Sequence, residues 1–112
     1  MPIDHFDHLP PWVRRVADAA GDRAPEPVLD ELLGSLRQEL KRRYGSTEFT
    51  TYRHRDNLFI EWRGEPAPRT LDDALGVDTL DNERGLDVGL LWYAEDLPEQ
   101  IDCAHILYKN LT

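Results

Sequence analysis

The 112-residue sequence predicts an α+β fold, with a small three-stranded, at least partly antiparallel sheet packed against helices in two layers. Three patterns support this prediction. Leucines recur at three- and four-residue steps over residues 26–44, strand-forming residues flank a turn over residues 47–63, and an apolar run covers residues 86–93. The predicted order is α-α-β-β-α-β-α. We expect a single domain over residues 1–112, with residues 1–9 as a loosely held arm.

Two helices open the predicted fold. Pro10 and Pro11 suit the start of the first, because proline in the first turn loses no helical hydrogen bond, and Gly21 can end it. The second helix covers residues 26–44 and ends before Gly45. Its last turn carries a basic cluster that suits the negative end of the helix dipole: Lys41, Arg42 and Arg43. We therefore interpret this cluster as structural rather than as a binding patch.

The stretch FTTYRHRDNLFIEW, residues 49–62, predicts a β-hairpin. Asp56-Asn57 suits the turn, and the basic residues Arg53 to Arg55 are expected at the tip. Alternation along the second strand predicts one face with Leu58, Ile60 and Trp62, and an opposite face with Phe59, Glu61 and Arg63. We interpret the hairpin first as part of the fold. Its exposed face and tip are the best candidates for recognition.

The C-terminal part predicts three further elements. Thr70 can cap a short helix, residues 77–85 are expected to be irregular, and residues 86–93 read as a central strand. Asp96 can cap a final helix. The predicted core stripe of that helix is Leu97, Ile101, Ala104, Tyr108 and Leu111.

The charge of the protein is unevenly distributed. The formal net charge is −9; residues 65–112 hold 11 acidic and 3 basic residues, hence −8, whereas residues 36–55 carry a local +4. An overall negative charge argues against direct DNA binding, which needs several phosphate contacts from a basic surface. The sequence shows no signal-peptide pattern and no apolar run of about 20 residues, and its single cysteine, Cys103, excludes an internal disulfide. We expect a cytoplasmic protein that does not contact a membrane.

No sequence motif indicates catalysis or a cofactor. The chain lacks a G-x-S-x-G nucleophile motif and a glycine-rich phosphate loop. Cys103 and His105 are two residues apart on the predicted helix, where they would point in different directions. The acids and histidines of residues 4–8 lack a second ligand cluster, and residues 78–87 miss the spacing of a calcium loop. We expect no enzyme, no cofactor and no metal site.

One stretch resembles a known family. The matching positions in residues 36–75 are Tyr44, Gly45, Phe49, Ile60, Trp62, Gly64 and Pro66. This pattern of a helix end, two strands, a turn and a second helix resembles a large polyvalent protein-associated domain of phages and conjugative elements. Glu65 between Gly64 and Pro66 departs from the pattern, as does RHRDN in place of a glycine-rich hairpin. The resemblance implies a phage or mobile-element setting and supplies no catalytic residues.

The leading hypothesis is a small acidic protein that binds another protein, such as a nucleic-acid-binding complex of a host defence system, and inhibits it. Carboxylates would lie where phosphates normally bind. The candidate partner-binding acids are Asp72, Asp73, Asp78, Asp81, Glu83 and Asp87. The other candidates are Arg53, Arg55 and Phe59. Three alternatives stay open at this point: an immunity or antitoxin-like protein for a basic toxin, a small metal-dependent enzyme, and a structural subunit of a homo-oligomer. A homodimeric state also stays open.

Overall fold

A computed structural model of the chain describes residues 10–76, 78–80, 87–90, 98–102 and 104–111. In chain order, the helices are α1 (Pro11–Ala20), α2 (Pro25–Arg43), α3 (Pro68–Leu75) and α4 (Glu99–Asp102). The strands are β1 (Thr50–His54), β2 (Asn57–Trp62), β3 (Asp78–Leu80), β4 (Asp87–Leu90) and β5 (His105–Asn110). The predicted α+β class is therefore confirmed.

The strands form one mixed sheet in the order β1-β2-β5-β4-β3. The β1–β2, β4–β5 and β3–β4 pairs are antiparallel, and β2 runs parallel to β5. The predicted partly antiparallel character is confirmed, but the sheet has five strands rather than the expected three. β1 and β3 are its two edges, and β5 lies in the centre.

The largest correction concerns the predicted final helix. Among the described residues of this segment, Glu99–Asp102 are helical, and residues 105–110 form β5, the central strand. The apolar spacing also fits a strand, because alternation buries Ile106 and Tyr108 while His105 and Lys109 are exposed. Ile106 and Tyr108 pair with Leu58 and Ile60 of β2. These contacts favour the strand over the helix, because tertiary context overrides a local helical pattern.

Smaller corrections concern the turn and helix boundaries. The hairpin turn is Arg55-Asp56 rather than Asp56-Asn57, because His54 and Asn57 pair as the last residues of their strands. Arg55 takes a positive φ of 56° there. α3 begins at Pro68, so Thr70 lies inside it rather than at its cap. Residues 78–80, expected to be irregular, form the edge strand β3.

The buried core lies between the helices and one face of the sheet. The sheet contributes Leu58, Ile60, Trp62, Ile106 and Tyr108 to a cluster that also holds the apolar faces of α1, α2 and α3. The alternation of Leu58, Ile60 and Trp62 toward this face is as predicted. Phe59 and Leu107, the alternate residues, are half-buried and lie outside the core cluster. The helices thus form one layer and the sheet the other.

Candidate interaction surfaces

The strand order separates the acidic and basic parts of the chain. The basic residues of 36–55 lie on α2 and β1, at one edge of the sheet, and β3 forms the other edge. Four strand spacings of about 4.8 Å put these edges about 19 Å apart. We call the edge strand β3, its neighbour β4 and the helix α3, which contacts β3, the acidic end; its candidate residues in the described part of the chain are Asp72, Asp73, Asp78 and Asp87. The structure therefore places the four described candidate acids on three elements, α3, β3 and β4.

Each candidate acid has a defined place. Asp73 is exposed on α3, and Asp72 precedes it in the same helix. Asp78 begins β3 and pairs with Leu90, and Asp87 begins β4 and pairs with Tyr108. Asp81 and Glu83 lie outside the described residues, as do Cys103 and the polar residues 4–8. Within the described part of the chain, no three histidine, cysteine or acidic residues are grouped so that they could hold a metal ion.

The basic residues of α2 are used within the fold. Both Arg42 and Arg43 donate to Oε1 of Glu39, at 2.6 and 2.5 Å, and Glu39 is only 6% exposed. Burial raises the pKa of Glu39, but the hydrogen bonds and charges of the two guanidinium groups outweigh it, so the pKa lies below its ordinary value. This pairing supports the structural interpretation of the basic cluster.

The hairpin arginines have different environments. Arg53 lies on β1 rather than at the tip, and its guanidinium donates to Oδ1 of Asp30 at 2.7 Å and to the carbonyl of Arg55 at 2.8 Å. Only 18% of the Arg53 side chain is exposed. Arg55 occupies the turn itself and is exposed. Arg53 therefore joins the hairpin to α2, which leaves Arg55 as the exposed cation of the pair.

Phe59 is part of a row of residues that crosses the sheet on the face opposite the helices. Its ring stacks on Tyr52, with ring centroids 4.7 Å apart and planes within 9°. Tyr52 is 41% exposed and donates from its hydroxyl to Glu61 at 3.0 Å, a hydrogen bond that, together with burial and the Glu61 charge, raises the pKa of Tyr52.

The strand register continues this row across all five strands. Phe59 pairs with Leu107 of β5, Leu107 with Val88 of β4, and Val88 with Leu80 of β3. We call these positions the cross-strand row: Tyr52, Phe59, Leu107, Val88 and Leu80. Sequence reasoning found Phe59 but missed Leu107, because residues 105–110 were expected to be helical. The alternation His-Ile-Leu-Tyr-Lys is the signal that could have found it.

A groove lies at the opposite end of the molecule from β3. It runs between the C-terminal half of α2 and the segment leading into β1, and has a volume of about 590 Å³. Its lining includes Arg37, Leu40 and Lys41 of the helix, Tyr44 directly after the helix, and residues 47–51 of the strand side. We call it the α2–β1 groove. Sequence reasoning did not find it, because it depends on where α2 lies relative to the sheet.

Comparisons with known proteins identify no relative: no family model, curated protein or solved structure matches this chain. The resemblance of residues 36–75 to a polyvalent protein-associated domain therefore stays a hypothesis. None of the described helices is long and apolar enough to cross a membrane.

Proposed function

We propose that this chain is a small acidic binding protein that holds a protein partner on the open face of its sheet. The single observation behind the proposal is the cross-strand row, in which apolar and aromatic positions follow one another over all five strands. Aromatic residues on an exposed face are favoured in protein interfaces. Phe59 and Tyr52 are the anchors of this surface.

The acidic end indicates the charge of the partner. The row ends at β3, and the elements at this end of the sheet, α3, β3 and β4, carry the described candidate acids, within the part of the chain that has net −8. Carboxylates beside an apolar surface attract a basic partner and orient it during association. A nucleic-acid-binding protein carries such a basic groove. We therefore propose that the partner is a nucleic-acid-binding protein or complex, inhibited when the acidic end occupies its groove. A phage or mobile-element inhibitor of a host defence complex is the specific form of this proposal.

Nucleic acid itself fits the open face less well. Stacking of bases needs free aromatic faces and a basic groove. Here the rings of Tyr52 and Phe59 stack on each other, and the chain is strongly acidic. A protein partner therefore accounts for both the apolar row and the charge.

The proposal is tested by capture of a partner with matched variants. Purified chain is immobilised and incubated with host lysate at about 0.1 M and about 1 M salt, where screening lengths are about 10 and 3 Å. We expect one basic, nucleic-acid-binding protein to be retained at the lower salt concentration and lost at the higher one. Asn replaces the four acids of the acidic end in one variant, and Phe59→Ser removes the apolar anchor in another. Both are expected to abolish capture.

A matched control neutralises four exposed acids elsewhere: Asp22, Glu26, Glu48 and Glu65. It removes the same charge and should leave capture intact. Equal loss in the control and the acidic-end variant would overturn the proposal, since only net charge would then matter. A captured basic toxin, neutralised by the chain, would instead show an immunity protein. Capture that survives Phe59→Ser would show that the cross-strand row is not the interface.

A further inference from the structure

The α2–β1 groove has the features of a second, independent binding site. Its helix wall is formed by residues 37, 40, 41 and 44, which repeat at three- and four-residue steps and so share one side of α2. Its other wall is the edge of the sheet, because β1 has a neighbour on one side only. Residues 47–49 lead into this strand, and Thr50 and Thr51 of β1 complete the wall.

Arg37 is held in position at the rim of this groove. Its Nε donates to Oγ1 of Thr51 at 2.5 Å, and its Nη2 donates to the Thr51 carbonyl at 2.8 Å. A guanidinium carries five N–H donors, so three remain for another acceptor. Because two bonds already fix the plane of the group, little side-chain entropy is lost when a carboxylate binds it.

Lys41 adds a second cation one helical turn after Arg37. It is exposed and forms no ion pair with any residue that the structure describes, in contrast to Arg42 and Arg43, which both bind Glu39. The groove therefore presents two positive charges, and Glu48 is the one acid in its lining. This local charge is opposite to that of the acidic end.

The floor of the groove is apolar. Leu40 is buried, and Tyr44 and Phe49 are half-buried against the core, with their ring centroids 6.0 Å apart. Tyr44 and Phe49 thus leave aromatic surface beside two cations. An apolar side chain next to a carboxylate matches this combination.

We propose that the α2–β1 groove binds a short, extended peptide segment of a protein partner, with an aliphatic or aromatic side chain on Tyr44 and Phe49 and a neighbouring acidic side chain on Arg37 and Lys41. A peptide fits better than a compact molecule, because the groove opens onto the edge strand β1, and an extended peptide can pair with such an edge. This proposal does not depend on the function proposed above, since it uses the opposite edge of the sheet.

The experiment selects peptides from a random heptapeptide display library on the immobilised full-length chain. Selected peptides are synthesised with a fluorescent label and their dissociation constants are measured by fluorescence anisotropy. We expect sequences with an acidic residue next to an apolar one. Exchange of either residue for serine should weaken binding about tenfold or more, because one exchange removes the charge-assisted hydrogen bonds to the cations and the other removes the apolar surface buried on Tyr44 and Phe49.

The two lysines of the chain provide matched variants. Lys41→Glu should weaken binding at least tenfold, whereas Lys109→Glu, which makes the same charge change at an exposed position of β5, should leave it unchanged. Arg37→Lys keeps the positive charge but removes the planar guanidinium group, whose paired N–H groups can bind a carboxylate. We expect a loss of peptide affinity smaller than that caused by Lys41→Glu. Both lysine side chains are exposed, so both variants should fold, which circular dichroism checks.

Three outcomes would overturn the proposal. One is that the selection enriches no peptide, and another is that the selected peptides bind the Lys41→Glu and Lys109→Glu variants equally. The third is found by native mass spectrometry: the unmodified chain and the Lys109→Glu variant are dimers, whereas the Lys41→Glu variant is a monomer. The groove would then hold a second copy of the chain.

Discussion

The guanidinium of Arg53 donates to the carboxylate of Asp30 across 23 residues of sequence, with Nε and Oδ1 2.7 Å apart. This contact joins the β-hairpin to α2. The same guanidinium donates to the carbonyl of Arg55 and so also supports the turn. A residue that looks like part of a basic recognition tip in the sequence is therefore mainly a link between two elements.

Removal of this link should destabilise the protein modestly. Asp30 is 63% exposed, so solvent screens the pair, and we expect a coupling energy of about 0.5–1 kcal/mol between Arg53→Met and Asp30→Asn. Urea unfolding of the single and double variants measures it. Asp18→Asn is the control, since Asp18 lies 3.9 Å from Arg14 with both side chains exposed, and it should have almost no effect. A coupling energy of zero would show that the Arg53–Asp30 contact contributes nothing.

Glu39 should make stability depend on pH. Its pKa in the folded protein lies below the ordinary value of 4.5, so its contribution is fully present above about pH 4.5 and is lost as the pH falls through the lower, folded value. We expect Glu39→Gln to lower the free energy of unfolding by about 1–2 kcal/mol at pH 7, with a smaller difference at pH 3. Urea titrations at the two pH values test this expectation.

A surface variant separates this effect from net charge. Glu48→Gln removes one negative charge from an exposed site and should have little effect at pH 7. If Glu39→Gln lowered the free energy of unfolding by the same amount at pH 3 as at pH 7, the ionised carboxylate would not be the stabilising form.

Two buried tryptophans each donate a side-chain hydrogen bond to a backbone carbonyl, one distant in sequence and one four residues away. Nε1 of Trp12 donates to Leu75 O and Nε1 of Trp62 to Pro66 O, both at 2.8 Å. Replacement by phenylalanine keeps an aromatic ring but leaves a buried carbonyl without its donor. We expect Trp12→Phe and Trp62→Phe each to cost about 1–3 kcal/mol, measured by urea unfolding.

Tyr52→Phe is the matched comparison for these variants. It deletes the hydrogen bond to Glu61 at an exposed position and should change stability by less than about 0.5 kcal/mol. Equal losses in all three variants would show that burial does not determine the value of these hydrogen bonds.

Gly76 and Gly64 should respond differently to alanine. Both have positive φ, 69° and 77°, so alanine is strained at either site by about 1–2 kcal/mol. A Cβ at Gly76 would also lie 2.7 Å from Cγ of Pro10, whereas none of the described atoms lies within 4 Å at Gly64. We therefore expect Gly76→Ala to be the more destabilising by at least about 1 kcal/mol in thermal or urea unfolding. Equal losses of stability in the two variants would mean that Pro10, directly before α1, moves away from the added methyl group at no cost in free energy.

Local patterns were sufficient to predict most of the helix layer and the hairpin. α1 and α2 occur within one residue of their predicted bounds, because proline, glycine and a leucine stripe act within a few turns of one helix. The alternation of Leu58, Ile60 and Trp62 likewise predicted which side of β2 is buried. The charge asymmetry also follows from the sequence, since it is a property of composition.

Only the tertiary structure determines which strands, helices and side chains are neighbours. Residues 105–110 satisfy both a helical and a strand pattern, and only pairing with β2 and β4 made them the central strand. That choice created the cross-strand row and placed the acidic end and the α2–β1 groove at opposite edges of the sheet. Contacts between residues distant in sequence, such as Arg37 with Thr51 and Arg53 with Asp30, leave no local periodicity, so the sequence by itself could not reveal them.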